Sequence, residues 1–451
     1  MSMLGRWMVS GMLLLLAACS SSHHSDTPAA PTARFQVVHA SPDAPRVTVL
    51  IDGQVWCSCL NYGDGLGEAT LPAGSHTVTV QANTPAGPVV VLGPQTVDFL
   101  ADNDFVIAIE GVTANISSHI FPHPLSVVAS TATRVQILHA APEAPAVSVY
   151  VTAPGADLTT SQPLGGGSVA YQAAIGPLDV PSGSYQIRVT PAGVTSPVLF
   201  DSGTISLVGG TDLVITAVQN TGPGASPIVL AAVDAWGNNG LVYDVNTPAQ
   251  VRFVHAAGNV PAMNITATLA AVTTPIVNGL GFSQATPYLP VVPGDYSFSF
   301  VPTAGVAALG TQALTLWAGQ ERTVYALGSL TSFVTESTWD NRRRLATAAK
   351  LRIVHGSLSS GSVDLYLTAP AAGVATGTPW FANVPFQGFS AFQEIAAGSY
   401  DLTLTAPGTK TVIAGPVTLT VDAFGIYTVV VTDAVGGIAP TGFLLLDDFA
   451  G

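Results

Sequence analysis

The amino-acid sequence predicts an all-β chain made of four tandem immunoglobulin-like β-sandwich modules. One segment recurs four times: ARFQVVHASPDAPRVTVLI from Ala33, TRVQILHAAPEAPAVSVYV from Thr133, AQVRFVHAAGNVPAMNITA from Ala249 and AKLRIVHGSLSSGSVDLYL from Ala349. Its histidines, His39, His139, His255 and His355, are separated by 100, 116 and 100 residues. Within each copy apolar and polar residues alternate with a period of two, the mark of a half-buried strand, and no helical period accompanies them.

Composition narrows the function. The chain has 451 residues, 48% hydrophobic and only 9% charged, with a formal net charge of −14. Apolar content this high is ample for burial, which argues against disorder. Thirteen basic residues against 27 acidic ones, with no basic stripe, argue against a nucleic-acid partner. The mean hydropathy of +0.46 invites a membrane reading. Beyond the N-terminus, however, no uninterrupted apolar run reaches the ~18 residues that a spanning helix needs. A spanning barrel would repeat single hairpins rather than units of this size.

The chain opens with one positive charge, Arg6, and an apolar stretch running from Trp7 to Ala18, the layout of a secretory signal. The stretch ends in Leu16-Ala17-Ala18-Cys19, which resembles the lipobox of bacterial lipoproteins. The resemblance implies that residues 1–18 are a signal peptide and that Cys19 becomes the acylated first residue of the mature protein. Cys19 would then hold the chain to a lipid bilayer. Several acyl chains at ~0.8 kcal/mol per buried methylene give lasting attachment. Ser20 follows where Asp would signal inner-membrane retention, so the expected address is the outer membrane. Residues 19–32 continue as SSSHHSDTPAAPT after the cysteine, a polar tether spanning at most ~45 Å. His23 and His24 within it read as solvated residues.

The remainder divides into four copies of about 108 residues, close to an immunoglobulin-like sandwich. Expected modules are 33–129, 132–236, 248–340 and 348–451, each with its own core. Modules in series would span distance while each folds separately. In each, the histidine strand leads into a turn rich in Pro, Gly or Ser and then a second alternating strand. A later landmark reads LPAGSHTVTV at Leu71, VPSGSYQIRV at Val180, VVPGDYSFSF at Val291 and IAAGSYDLTL at Ile395. An apolar alternating run follows at 104–109, 212–218, 322–327 and 426–432. Linkers are read at 129–132, 237–248 and 340–348. The last carries the one basic cluster, Arg342 to Arg344, read as solvated linker, with contact to an acidic partner or lipid headgroups as the alternative.

His39-Ala40-Ser41-Pro42-Asp43-Ala44-Pro45 resembles the opening signature R-V-x-H-A-S-P-D-A-P-x-V-D-V-Y of the domain-of-unknown-function family 4397. His139 to Pro145 is close to it, whereas Gly258 to Pro261 and Leu358 to Gly361 depart from the Pro-acid-Ala-Pro turn. The resemblance implies a secreted or surface β-domain and supplies no activity.

Candidate chemistry centres on the repeated histidine, a residue type suited to metal binding and general-base work near neutral pH. The acid four residues later is Asp43 or Glu143 in the first two copies but Asn259 and Ser359 in the others. Catalysis in every copy therefore has no common acid. The parity of the strand instead places His39, His139, His255 and His355 as structural residues at the rim of the core, their ring nitrogens bonded to loop backbone. Tyr62, Tyr171, Phe282 and Phe386 lie twelve residues before the landmark glycines, and Tyr185, Tyr296 and Tyr400 two after, with His76 in the first copy. Aromatics at fixed positions read as core or corner residues. Trp380, Phe381 and Phe389 stand outside that pattern and, if coplanar and exposed, would form a ligand patch. Cys57 and Cys59 are too few for structural zinc and would close a very tight ring, leaving a local disulfide or free thiols open. His119 and His123 lack further ligands. Hydrolase, metalloprotease, phosphate-loop and dinucleotide motifs are absent.

No cofactor or metal is expected. The composite expectation is a lipid-anchored, non-catalytic cell-envelope protein acting in adhesion, envelope structure or binding of an envelope protein or glycan. The alternatives are a His-dependent or metal-dependent hydrolase in modules 1 and 2, and carbohydrate binding through module 4.

Overall fold

A computed structural model describes residues 30–123, 126–305, 307–437 and 441–448. The signal, Cys19, His23 and His24 lie outside the described residues. Among these residues there is no α-helix, only strands and two short 3-10 turns, and no helix is long and apolar enough to cross a membrane.

The first module contains β1 (Thr32–His39), β2 (Val47–Ile51), β3 (Gln54–Leu60), β4 (Gly65–Pro72), β5 (Gly74–Thr84), β6 (Gly87–Phe99), β7 (Asp104–Glu110) and β8 (Ser117–His123). They form two four-stranded sheets, in the orders β4-β1-β7-β8 and β3-β2-β5-β6. β1 carries the signature histidine and sits inside its sheet, antiparallel to β4 and parallel to β7 from Arg34 opposite Asp104 to His39 opposite Ile109. Parallel neighbours require a long crossover, here the whole run from β2 to β6. The same parallel pair recurs in the other modules, joining Ala132–His139 to Asp212–Gln219, Ala249–His255 to Glu321–Ser329, and Ala349–His355 to Ile426–Thr432. The third landmark of the sequence is thus β7 in the first sandwich and, in the others, its counterpart, the parallel partner of the histidine strand.

Each sandwich encloses its own apolar core. In the first, Phe35 and Val37 of β1 meet Val47, Val49, Val80 and Phe99. Equivalent cores surround Ile137, Phe253 and Ile353. The second module varies the plan: its second sheet has three strands, and Asn239–Val242, within the stretch read as linker, adds a fifth strand to the first.

Alternation predicts that the other side of each histidine strand faces water, and the structure corrects this. Gln36, Gln136, Arg252 and Arg352, three residues before each histidine, are all buried. The residues immediately before the histidine, Val38, Leu138, Val254 and Val354, are apolar and also buried. The modules therefore pack in pairs through the outer faces of these sheets. Val38, Val106 and Ala108 of the first meet Leu138, Val214 and Val233 of the second. Val254, Tyr325 and Leu327 of the third meet Val354, Val430 and Leu446 of the fourth. The expectation of modules strung out to span distance gives way to two face-to-face pairs, because an exposed apolar stripe on each sheet gains by being covered.

Close backbone approach reinforces the first pair. Glu68 N–H donates to Ala235 O at 3.0 Å. A Cβ on Gly67 would lie 2.6 Å from Gly237 N, so only glycine lets the two backbone segments meet there.

Candidate functional site

The signature turns share one bond around their histidines. Nε2 lies 3.1 Å from Pro45 O for His39, 2.9 Å from Pro145 O for His139, 3.2 Å from Pro261 O for His255 and 2.7 Å from Gly361 O for His355. A carbonyl oxygen only accepts, so Nε2 carries the proton. Nδ1 in turn accepts the backbone N–H two residues on in the first three modules, from Ser41, Ala141 and Ala257 at 3.3–3.4 Å. Such a ring is a neutral strut. Burial, aided by Arg343, holds His39 down to about 3, and burial lowers the other three.

The residue four after the histidine ties the turn to the loop after β7 or its counterpart. Asp43 Oδ1 accepts from Thr113 N at 2.7 Å and Thr113 Oγ1 at 2.9 Å. Asn259 Oδ1 accepts from Leu330 N at 2.9 Å. In the fourth module the roles reverse, with Ser359 Oγ donating to Asp433 Oδ1 at 2.7 Å. Asp, Asn and Ser alternate here because the tie needs a hydrogen bond and no particular charge. Glu143 is exposed.

The basic linker cluster is not a solvated run. Arg343 Nη1 donates to Pro42 O at 3.2 Å and Ala44 O at 2.6 Å, reaching the signature turn of the first module from the boundary of the third and fourth. Its guanidinium stands 5.2 Å from the Tyr62 ring centroid. Arg342 pairs with Glu321 at 3.2 Å and covers Tyr288, and Arg344 donates to Phe424 O at 2.8 Å. Short-range reading missed these partners because their donors and acceptors are up to 301 residues apart. A cleft of about 540 Å³ opens beside this clamp, with Asp43, Glu143, Gln250, Glu321, Arg344 and Phe424 among its walls. No signature histidine lines it. Burial pushes Glu321 up to about 7, against the pull of Arg342. Asp43 and Glu321 are both engaged, so the cleft combines charges already bonded with one exposed carboxylate.

Between the third and fourth modules lies a reciprocal pair of buried ions. Arg252 of the third meets Asp448 of the fourth at 2.5 Å, and Arg352 of the fourth meets Asp340 of the third at 2.5 Å. The first pair of modules uses glutamines at the same strand position. Gln136 accepts from His123 Nδ1 at 2.8 Å and donates to Pro122 O at 3.2 Å, while Asp212 accepts from His123 Nε2 at 2.8 Å. Both ring nitrogens of His123 donate, so it is an imidazolium. Burial is the largest influence and opposes that charge, but the bond and charge of Asp212, the Gln136 bond and the charge of Asp104 together outweigh it and hold the group above its ordinary value. His119 Nδ1 lies 2.5 Å from Glu110 Oε1. Among the described residues no three His, Cys, Asp or Glu side chains gather as a metal site requires.

The periodic aromatics divide by role. Tyr62, Tyr171 and Phe282 stand edge-on to the signature histidines, each with ring centroids 6.1 Å apart, and Phe386 packs at the interface of the third and fourth modules. Tyr185, Tyr296 and Tyr400 donate to the carbonyls of Pro181, Val292 and Ala396, four residues back, at 2.8–2.9 Å. His76 Nε2 meets Pro72 O in the same way. These are tyrosine corners. Trp380 and Phe381 do not form one exposed plane with Phe389. They pack against the fourth core with rings tilted by 47°, and Phe389 sits on the other sheet, bridged to Val354. Half-buried Cys57 packs against the first core. The side chain of Cys59 lies outside the described residues.

Fold and site together define a multidomain all-β protein whose sandwiches are joined through their signature strands. The chain matches the family described as Domain of unknown function (DUF4397) over residues 33–150 and again over 249–366, and it belongs to that family. Each match starts on the first strand of one module and ends on the second strand of the next, spanning the partners of one structural pair. No curated protein matches the chain in sequence. Among solved structures, the Bacillus anthracis TIE protein is similar at 12% identity over 89% of this chain and 68% of that one, with a TM-score of 0.16, too low to relate the two architectures.

Proposed function

We propose that the protein is a lipid-anchored, non-catalytic component of the cell envelope, held at the outer membrane through Cys19, whose paired modules present a binding surface to an envelope protein or glycan. The observation that carries the non-catalytic part is the use of the repeated histidines. Each is a buried neutral strut with its Nε2 proton committed to a carbonyl, and the acid, amide or hydroxyl four residues on is bonded elsewhere in modules 1, 3 and 4. A general base needs its proton-accepting nitrogen within reach of substrate, and here Nδ1 faces backbone in three of the four. The anchoring part rests on the resemblance of Leu16 to Cys19 to a lipobox.

Fractionation of an expressing bacterium tests the anchor. The Cys19→Ala variant is expected to leave the membrane fraction, and retention there would overturn the reading. Turnover of any ester, peptide or glycoside substrate that is lost in a His39→Gln/His139→Gln variant of unchanged thermal stability would overturn the non-catalytic assignment.

A further inference from the structure

A second cleft, of about 830 Å³, lies between loops of the first module and the junction of the third and fourth. Trp339 and Phe389 are on its walls, 66% and 50% exposed. Large aromatics left this open are uncommon where a core could take them. The Arg322 guanidinium lies 4.4 Å from the Trp339 ring centroid and braces one face. Backbone pairing of Phe389 with Val354 fixes the second ring. Between them the walls carry amides, Asn61, Asn341 and Gln393, which both donate and accept hydrogen bonds. Arg46 is exposed at the same cleft, and Arg343 adds positive charge against the single carboxylate Glu394, while burial pulls Lys350 down to about 7. In a chain with a net charge of −14 this is a cationic spot.

We infer that this cleft binds an acidic oligosaccharide, its sugar faces stacked on Trp339 and Phe389, its hydroxyls bonded by the amides and its carboxylates facing Arg46. The chemistry selects that class. Sugar rings offer C–H-rich faces to the electron-rich face of an aromatic ring, and vicinal hydroxyls match side chains that donate and accept together. A peptide anchor would want an enclosed apolar pocket, whereas both rings here are open platforms. The volume is in the range of small-ligand sites. The inference rests on the proposed role as an envelope binding protein and names one ligand class for it.

The test uses the full chain purified in detergent, with oligogalacturonate as the acidic probe and maltohexaose as the neutral one, read by calorimetry. Oligogalacturonate is expected to bind and maltohexaose to bind at least ten-fold more weakly. Trp339→Ala and Phe389→Ala should each lower affinity at least ten-fold with unchanged thermal melting. Arg46→Ala should erase the preference for the acidic probe, and Trp236→Ala, another exposed tryptophan, should change nothing. No binding of either probe, equal binding of both, or binding untouched by the Trp339 and Phe389 variants would each overturn the inference. Membrane retention of the same protein, and its loss on Cys19→Ala, is scored separately, so failure of the ligand site and failure of the anchored-envelope reading are told apart.

Discussion

A buried histidine whose Nδ1 already accepts a backbone N–H has nowhere to put a second proton. The unfolded chain takes up that proton near the ordinary value of 6.5, while folded His39 refuses it down to about 3. The stabilisation from His39 is therefore complete above pH 6.5 and drains as pH falls below it, by about 1.4 kcal/mol per unit. Chemical denaturation between pH 7 and 4 should show this loss, and a His39→Gln variant should flatten the profile. Removing the ring outright, as in His39→Ala, leaves Pro45 O unpaired in a cavity and should cost about 2–4 kcal/mol. The corner hydroxyls are worth less: Tyr296→Phe is expected to lose about 1 kcal/mol. At this scale the fixed spacing makes the histidines, the corner tyrosines and their shared parity legible in sequence. The partners of Asp43, Asn259 and Ser359 are not, because each lies some 70 residues further along the chain and is chosen by where the loop after β7 or its counterpart happens to end.

At the scale of elements, the signature strand is buried on both faces, and period-two alternation misreads it. Gln36, Gln136, Arg252 and Arg352 look like solvent-facing residues, yet they are the polar half of an interface. One clue stood in the sequence: Val38, Leu138, Val254 and Val354 place an apolar residue on the supposed wet face in all four copies. What covers it could not be read, since the covering strand comes from the next module. The ion pairs of the second interface follow the logic of buried charge, in which loss of one partner strands the other. Arg352→Ala should therefore destabilise the chain by about 3–5 kcal/mol, measured by denaturant titration, through uncompensated Asp340. The first interface responds to pH in the opposite sense to the histidine struts. His123 has a raised value, so its contribution is present below pH 6.5 and is lost as pH rises through the folded value. A Gly67→Ala change should disturb the same interface by steric conflict with Ala235 to Gly237.

For the whole molecule, the pair of modules is the repeating unit rather than the single sandwich. The histidine spacings of 100, 116 and 100 residues already mark the pairs, since the longer interval separates one pair from the next. A fragment of residues 30–248 is expected to unfold in one transition, whereas residues 30–129 alone should be less stable and self-associate through uncovered Val38 and Val106. Scanning calorimetry and sedimentation distinguish these outcomes, and a single module as stable as the pair would refute the unit. The family match begins at the same boundaries, residues 33 and 249. Four sandwiches and their order are thus legible from repeats alone. Their docking is not, because Arg343 meets Pro42 across a sequence gap that no local pattern encodes.

The position of β1 has a mechanical consequence. It is the first strand of the described residues, and it lies between β4 and β7 rather than at an edge. A force drawing on Thr32 along the strand loads the hydrogen bonds on both flanks in shear, so they must fail together instead of opening one by one like a peeled edge. The N-terminal end of β1 is in this way the part of the first sandwich best built to carry tension, and under the proposed anchoring through Cys19 a pull from the membrane would be passed into the paired sheets before it could unravel the strand that receives it.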